Sequence, residues 1–85
     1  MKYEVFIEKS AQRQLAKIVQ PFQDRIIAAI RGLAEDPRPQ GVRKLSGREA
    51  WRIRVGDFRV IYEIRDQSLV VLVVEIGHRR EIYRR

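Results

Sequence analysis

Three arginines stand close together in the stretch WRIRVGDFR, which ends at Arg59. Gly56 and Asp57 fit a two-residue hairpin turn of type II′, which favours glycine at its first position. Such a turn pairs Arg54 with Arg59, and the alternation of strand side chains puts Arg52 on the same face. Guanidinium groups bind phosphate oxygens through paired hydrogen bonds. The sheet face that carries these three arginines, the arginine face, is therefore a predicted phosphate-binding surface.

The predicted pairing of Arg54 with Arg59 sets two like charges opposite each other, which costs up to about 1 kcal/mol. One interpretation is that both side chains extend into water at almost no cost. The other is that their usual partner is an anion, and the flanking sequence favours it, because basic residues cluster between 38 and 59 and again after 77. This basic patch is typical of phosphate-backbone binding. The candidate RNA contacts in this patch are Arg43, Lys44, Arg48, His78, Arg80, Arg84 and Arg85.

The sequence lacks the residues that most other catalytic mechanisms need. The chain has one histidine and no cysteine, and it contains no P-loop, GxGxxG or paired-cysteine motif. The sequence therefore predicts neither a metal site nor a cofactor. RNA cleavage stays open because RNA supplies its own nucleophile, the 2′-hydroxyl. Such an enzyme has to align that oxygen, neutralise the charge on phosphorus and move two protons.

Length and composition predict one soluble domain that spans residues 1–85. The net charge of +7 and the pI of about 10.6 indicate a polyanionic partner: nucleic acid, an acidic protein or an anionic membrane surface. No apolar run approaches the roughly 20 residues that a membrane span requires. The absence of cysteine fits a reducing cytoplasm, which is the expected location.

The hydrophobic pattern predicts an α+β fold in the order β-α-α-β-β-β. The first helix is expected to begin at the N-cap residue Ser10 and end near Val19. The second is expected to begin at Pro21, directly after Gln20, and end near Asp36. The helical hairpin then packs on one face of an antiparallel-rich sheet. The predicted strands are Lys2–Glu8, Trp51–Val55, Phe58–Ile64 and Leu69–Ile76, and Val42–Leu45 is a short candidate for a further strand.

Alternation along the hairpin also predicts which side chains form the core. The aliphatic run LVVLVVEI is typical of a central strand that is covered on both faces. The residues expected on the core face, opposite the arginine face, are Trp51, Ile53, Val55, Phe58, Val60 and Tyr62.

The sequence resembles the RelE/ParE superfamily of bacterial and archaeal toxins from type II toxin–antitoxin pairs. The resemblance lies in KLSG (44–47), WRIRVGDFRVIYEI (51–64), LVVLVVEIGHR (69–79) and the terminal Tyr83. It implies a RelE-like fold related to microbial ribonucleases. RelE-like members cleave mRNA in the ribosomal A site, and ParE-like members poison DNA gyrase. The catalytic residues that the resemblance implies are Arg52, Arg54, Arg59, Arg79 and Tyr83. ParE-like members generally lack this full set, so the resemblance favours a ribonuclease.

The sequence departs from the best-studied RelE-like site at two positions. That site has lysines where this chain has Arg52 and Arg54, and one lysine is often assigned as the general base. Arginine is a poor base because its pKa exceeds about 12. Proton transfer is then weakly assisted, or the base is Tyr83, Glu81 or His78. The stretch between Arg79 and Tyr83 is also shorter than in that archetype.

The resemblance also implies partners. These are an acidic antitoxin similar to RelB, the ribosome and its mRNA, and operator DNA for the toxin–antitoxin complex; no membrane is implied. Two alternatives to the ribonuclease remain: a ParE-like gyrase poison, and a catalytically inactive nucleic-acid-binding module that serves as a co-repressor.

Overall fold

Two helices lie against one face of a five-stranded sheet in the computed structural model, which describes residues 2–78. The helices are α1 (Lys9–Ala16) and α2 (Phe22–Gly32), and neither is long and apolar enough to cross a membrane. The strands are β1 (Glu4–Ile7), β2 (Arg43–Lys44), β3 (Trp51–Val55), β4 (Phe58–Arg65) and β5 (Val70–His78). The predicted α+β class is confirmed, and the predicted order holds with one more strand, because the short candidate at 42–45 forms the edge strand β2.

The sheet has the order β1-β5-β4-β3-β2. β1 pairs with β5 in parallel, and every other neighbouring pair is antiparallel, so the predicted antiparallel-rich sheet is confirmed. The strand β5 lies inside the sheet, between β1 and β4, as its aliphatic run indicated. Val71, Val73 and Ile76 on its core face are fully buried, whereas Val70, Leu72 and Val74 on the opposite face are only half-buried. The prediction that β5 is covered on both faces is therefore wrong for the face opposite the helices.

The hydrophobic core fills the space between the helices and the sheet. Ala11 of α1, together with Ile26 and Ile30 of α2, is buried against it. α1 packs mainly on β5 and α2 on β3. The hairpin side chains predicted to face the core all belong to this cluster: Trp51, Ile53, Val55, Phe58, Val60 and Tyr62. The two faces of the hairpin are thus assigned as the sequence predicted.

The prediction that Ser10 caps α1 is wrong. The helix begins at Lys9, and Glu8 is its N-cap in extended geometry without a side-chain capping bond. The chain enters the helix directly from β1, and the Gln12 side chain donates to the carbonyl of Ile7 at 2.7 Å. The end near Val19 is also wrong, since the helix stops at Ala16.

The two helices are joined by residues 17–21 rather than by Gln20 alone. Pro21 was predicted to be the first residue of α2 but is its N-cap, so the helix begins one residue later, at Phe22. Asp24 lies in its first turn as expected. The α-helix ends at Gly32, but tight turns carry the chain on to Asp36, whose N–H donates to the Gly32 carbonyl at 3.1 Å. The predicted end near Asp36 thus marks the end of the turns, not of the helix.

A β-bulge interrupts the pairing of β4 with β5. Ile61 pairs with Glu75 and Tyr62 pairs with Val73, so Val74 is an extra residue on β5. Val74 packs with Ile61 on the arginine face, whereas Val73 and Tyr62 are buried in the core. The bulge therefore reverses the alternation of β5 beyond this point and puts Glu75 on the arginine face.

Candidate nucleic-acid interface

Arg54 and Arg59 face each other across the β3–β4 hairpin, as the sequence predicted. Gly56 has a φ of 61° and Asp57 keeps a negative φ, which is the pattern of a type II′ turn. The two arginines differ in burial: Arg59 is 3% exposed, whereas Arg54 is open to solvent. The interpretation that both side chains extend into water is therefore wrong for Arg59.

A second row of side chains runs beside the Arg54–Arg59 pair. Arg43 pairs in register with Arg52, and Arg52 with Ile61. Register partners on neighbouring strands point to the same face and lie about 4.5–5.5 Å apart. The arginine face therefore carries Arg43 in addition to the three predicted arginines, with Arg52 half-buried and Arg43 exposed.

The buried guanidinium of Arg59 is held by its surroundings. Its Nη1 donates to the Phe58 carbonyl at 3.4 Å, and its register partner on β5 is Gly77, which has no side chain to displace it. A charge removed from water is stable only when hydrogen bonds or opposite charges satisfy it. Arg59 is consequently a fixed donor, and the exposed Arg54 beside it can turn towards a ligand.

Glu75 is a half-buried carboxylate on the arginine face that sequence reasoning missed. It is in register with Ile61 and is a diagonal neighbour of Arg59, whose own partner is Gly77. The signal in the sequence was a single charge inside the aliphatic run of β5. Simple alternation from the buried Val73 would have assigned that charge to the core face, and only the bulge corrects it.

Lys44 does not join the arginine face. Its register partner is the core residue Trp51, so it points to the helix-bearing side, where its Nζ lies 5.9 Å from the Trp51 ring centroid. The same Nζ pairs with Glu49 at 3.4 Å. Arg48 is exposed in the bend between β2 and β3 and lines two shallow hollows of about 350 and 390 Å³. Of these predicted RNA contacts, the structure brings Arg43 alone next to Arg52.

His78 also lies on the helix-bearing side of the sheet. It pairs in register with Phe58, and the two rings meet edge to face at 5.8 Å. Together with Lys17 and Ile18 it borders a cavity of about 400 Å³ between α1 and the sheet. His78 is therefore separated from Arg54 by the sheet itself, although the sequence offered it as a base. The other predicted residues Arg79, Arg80, Glu81, Tyr83, Arg84 and Arg85 lie outside the described residues.

A separate polar cluster occupies the opposite end of the hairpin. Arg38 donates to both carboxylate oxygens of Asp66 at 3.1 and 2.9 Å, and the Tyr3 hydroxyl donates to the same carboxylate at 2.6 Å. Its hydrogen bonds from Arg38 and Tyr3 lower the pKa of Asp66 to about 2. The Arg38 guanidinium also stacks 4.9 Å from the Trp51 ring centroid. Arg38 was predicted to belong to the basic patch, but these contacts give it a structural role.

The loop that follows α2 is tied to the core by Tyr62. The Tyr62 hydroxyl is buried and donates to the Pro37 carbonyl at 2.7 Å. Burial raises the pKa of Tyr62 well above its ordinary value. Tyr62 is thus a neutral hydrogen-bond donor with a structural role, as its core position predicted.

The chemistry open to the arginine face follows from its residue types. Guanidinium groups donate hydrogen bonds and offset negative charge, but they do not exchange protons near neutral pH. Residues 2–78 contain no group of three histidine, cysteine or carboxylate side chains that could hold a metal ion. The residue types of the described part of the site suit it to binding a phosphodiester and offsetting its charge, and Glu75 is a carboxylate on the same face.

Comparison with known proteins finds similarity to toxins. A family model described as the ParE toxin of the type II toxin–antitoxin system parDE matches residues 5–83. Toxin RelG of Mycobacterium tuberculosis is 32% identical over an alignment of 93 positions, which covers 100% of both chains.

Solved structures agree with this match. The archaeal RelE–RelB complex from Pyrococcus horikoshii superposes with a TM-score of 0.83 at 28% identity, covering 93% of this chain and 97% of that one. The toxin–antitoxin complex RelBE2 from Mycobacterium tuberculosis gives the same TM-score of 0.83 at 23% identity, covering 93% of each chain. The fold predicted from the sequence is confirmed by both.

Proposed function

The chain belongs to the RelE/ParE superfamily of toxins from type II toxin–antitoxin systems, and we propose that it is a ribosome-dependent endoribonuclease that cleaves mRNA in the ribosomal A site. One observation carries the proposal: the exposed Arg54 stands directly opposite the buried Arg59. A surface built for stability alone would have a carboxylate at one of these positions. An anionic substrate would offset the like charges of the opposed pair.

The proposed roles follow from position and chemistry. Arg54 and Arg59 hold the scissile phosphate, one as an adjustable donor and the other as a fixed one. Arg52, in the neighbouring row, holds an adjacent phosphate or ribosomal RNA. By the family resemblance, Arg79 stabilises the developing negative charge, and Tyr83 stacks on a base or relays a proton.

The reaction that suits this set of residues is transfer within the RNA itself. The 2′-hydroxyl attacks the adjacent phosphorus, so the protein needs neither a covalent nucleophile nor a metal. Arg52 and Arg54 contribute charge and alignment rather than proton transfer, because arginine stays protonated at neutral pH. We therefore assign catalysis to phosphate binding and charge stabilisation, with proton transfer carried by another group.

Docking on the ribosome relies on the net charge of +7 and on exposed basic side chains. Arg43 continues the arginine face, and Arg48 is a further exposed basic side chain in the bend between β2 and β3. Such contacts to phosphate orient a protein and give its binding a strong dependence on salt. A substrate on translating ribosomes puts the proposed activity in the cytoplasm.

The proposed protein partner is a cognate antitoxin. The solved structures from Pyrococcus horikoshii and Mycobacterium tuberculosis are toxin–antitoxin complexes, the first with RelB. A positively charged toxin favours an acidic antitoxin. We expect this antitoxin to inhibit by covering the arginine face or by displacing the C-terminal tail, and the complex to bind operator DNA.

A second candidate function is poisoning of DNA gyrase. It is favoured by the family model itself, which is described as a ParE toxin. The ribonuclease remains the stronger proposal because Arg52, Arg54 and Arg59 together match the RelE-like site and share one face of the sheet. Gyrase poisoning predicts stalled gyrase on DNA while mRNA stays intact.

Primer extension on stalled ribosomes tests the proposal. Purified protein is mixed with translating ribosomes stalled on a defined mRNA, and an equal amount of naked mRNA is included. The Arg54→Ala variant serves as the matched control. New RNA ends inside the A-site codon are expected only with ribosomes and only with the unmodified protein. Intact mRNA under conditions in which the protein still arrests growth would overturn the ribonuclease and favour gyrase.

A further inference from the structure

Glu75 lies among the arginines of the arginine face. It is in the same row as Arg52, with Ile61 between them, and it is a diagonal neighbour of Arg59. Diagonal neighbours in an antiparallel pair have Cα atoms about 7–8 Å apart, within reach of long side chains. A phosphodiester held by Arg54 and Arg59 would therefore lie beside the Glu75 carboxylate.

The other carboxylates of residues 2–78 are less well placed to meet that phosphodiester. Glu4 and Glu8 lie on and just after β1, and Asp24 and Asp36 lie in the first turn of α2 and in the turns that follow it. Glu63 is also on the arginine face, but it is further along β4 and forms an ion pair with Arg65. Asp57 is in the turn of the hairpin. Three more carboxylates are paired with basic residues elsewhere, in the pairs Glu49–Lys44, Asp66–Arg38 and Glu35–Lys2. Glu75 is thus the described carboxylate that shares a row with an arginine of the site.

We propose that Glu75 accepts the proton of the attacking RNA 2′-hydroxyl, an inference that rests on the ribonuclease activity proposed above. As the bond between the 2′-oxygen and phosphorus forms, the 2′-proton passes to the carboxylate of Glu75. The bond between phosphorus and the 5′-oxygen breaks, and that oxygen takes a proton from solvent water. The products are a 2′,3′-cyclic phosphate and a 5′-hydroxyl.

The surroundings suit a carboxylate to this role. Arginines cannot accept a proton, and His78 is on the other side of the sheet. The charged described groups that face Glu75 from β3 and β4 are Arg52, Arg54 and Arg59. Their positive charge offsets the repulsion between a carboxylate and the substrate phosphate. Reaction needs the attacking oxygen and phosphorus about 3–3.5 Å apart, so the base and the phosphate-binding groups must be neighbours.

The test compares Glu75→Gln with Glu63→Gln, a matched change on the same face of the sheet. Single-turnover cleavage is measured on stalled ribosomes with the toxin in excess, from pH 5 to pH 9. Affinity for the same ribosomes is measured separately, and thermal melting checks that each variant folds. A Glu75→Asp variant keeps the carboxylate and serves as a rescue.

Glu75→Gln is expected to slow cleavage about 10²–10⁴-fold with unchanged ribosome affinity. Glu75→Asp is expected to keep more of the rate than Glu75→Gln, and Glu63→Gln to cleave within about twofold of the unmodified protein. A Glu75→Gln variant that cleaves at the full rate, or one whose loss of rate equals its loss of affinity, overturns the inference. Failure of the unmodified protein to cleave would instead overturn the proposed function, and this inference with it.

Discussion

Arg54 and Arg59 are register partners, yet one is open to solvent and the other is almost completely buried. Under the proposed function, the shared position and unequal burial give the two arginines different tasks at a phosphate site. The buried guanidinium of Arg59 is fixed by the fold, and the exposed one of Arg54 is expected to adjust to the phosphate. This division makes the two residues distinguishable by mutation.

Arg54→Ala is expected to abolish cleavage, with a loss of at least about 10²-fold, while leaving stability unchanged. Removal of one preorganised donor to a developing charge costs about that much, and an exposed strand residue contributes little to the core. Growth arrest and A-site cleavage measure the first effect, and thermal melting measures the second. Arg31→Ala, on the exposed side of α2, is the control. Full toxicity of Arg54→Ala would contradict the assignment.

Arg59→Ala is expected to lower both activity and stability. Truncation of a buried side chain leaves a cavity and removes its hydrogen bond to the Phe58 carbonyl, so we expect a loss of about 1–3 kcal/mol in the free energy of unfolding. Urea denaturation of Arg59→Ala and Arg54→Ala side by side measures the difference. Equal stability of the two variants would show that burial of Arg59 has no energetic consequence.

Arg43 and Lys44 are adjacent in sequence but point to opposite faces, which allows a matched test of ribosome docking. Arg43→Gln is expected to reduce the slope of log Kd against log salt concentration by about 1, the value for one lost phosphate contact. Lys44→Gln is expected to leave the slope unchanged. The measurement is the affinity for stalled ribosomes over a series of salt concentrations, and equal slopes for the two variants would argue against docking through the arginine face.

Asp66 predicts a dependence of stability on pH. Its pKa in the fold is about 2, below the ordinary value of 3.8, so its ionised form is favoured by folding. Its contribution is therefore complete above about pH 4 and is lost as the pH falls towards 2. Asp66→Asn is expected to melt at a lower temperature than the unmodified protein at pH 7, and the difference is expected to shrink at acidic pH. Glu35→Gln, which removes a more exposed ion pair, is the control, and a constant difference across pH would contradict the prediction.

Tyr62→Phe is expected to destabilise the fold without affecting the chemistry. The variant leaves the buried Pro37 carbonyl without its donor, which costs about 1–3 kcal/mol. Urea denaturation measures this loss, and cleavage by the folded protein is expected to stay within about twofold of normal. A larger fall in cleavage would indicate that the loop after α2 takes part in the reaction.

The hairpin could be predicted closely because its information is local. The Gly56–Asp57 turn fixes the register, and alternating side chains then assign Arg52 and Arg54 to one face. The burial of Arg59 could not be predicted, because it depends on what covers the sheet rather than on the strand itself. The same applies to Arg38, whose partner Asp66 is 28 residues away.

The side-chain directions along β5 could not be predicted for a different reason. Its aliphatic run has no alternation from which the two faces can be read, and a single extra residue at Val74 changes the face of everything after it. Glu75 therefore lies with the arginines, and His78 does not. The helix ends were misjudged because tight turns follow Ala16 and Gly32, with hydrogen bonds such as Lys17 N–H to the Gln14 carbonyl, and the hydrophobic pattern does not separate such turns from α-helix.

The parallel pairing of β1 with β5 has a consequence for synthesis of the protein. Glu4 and Val70 are register partners, so β1 lacks its β5 partner in a growing chain until β5 has been made. Contacts between such distant segments form slowly. The β3–β4 hairpin, whose strands are joined by a two-residue turn, can therefore form before β1 is added to the sheet.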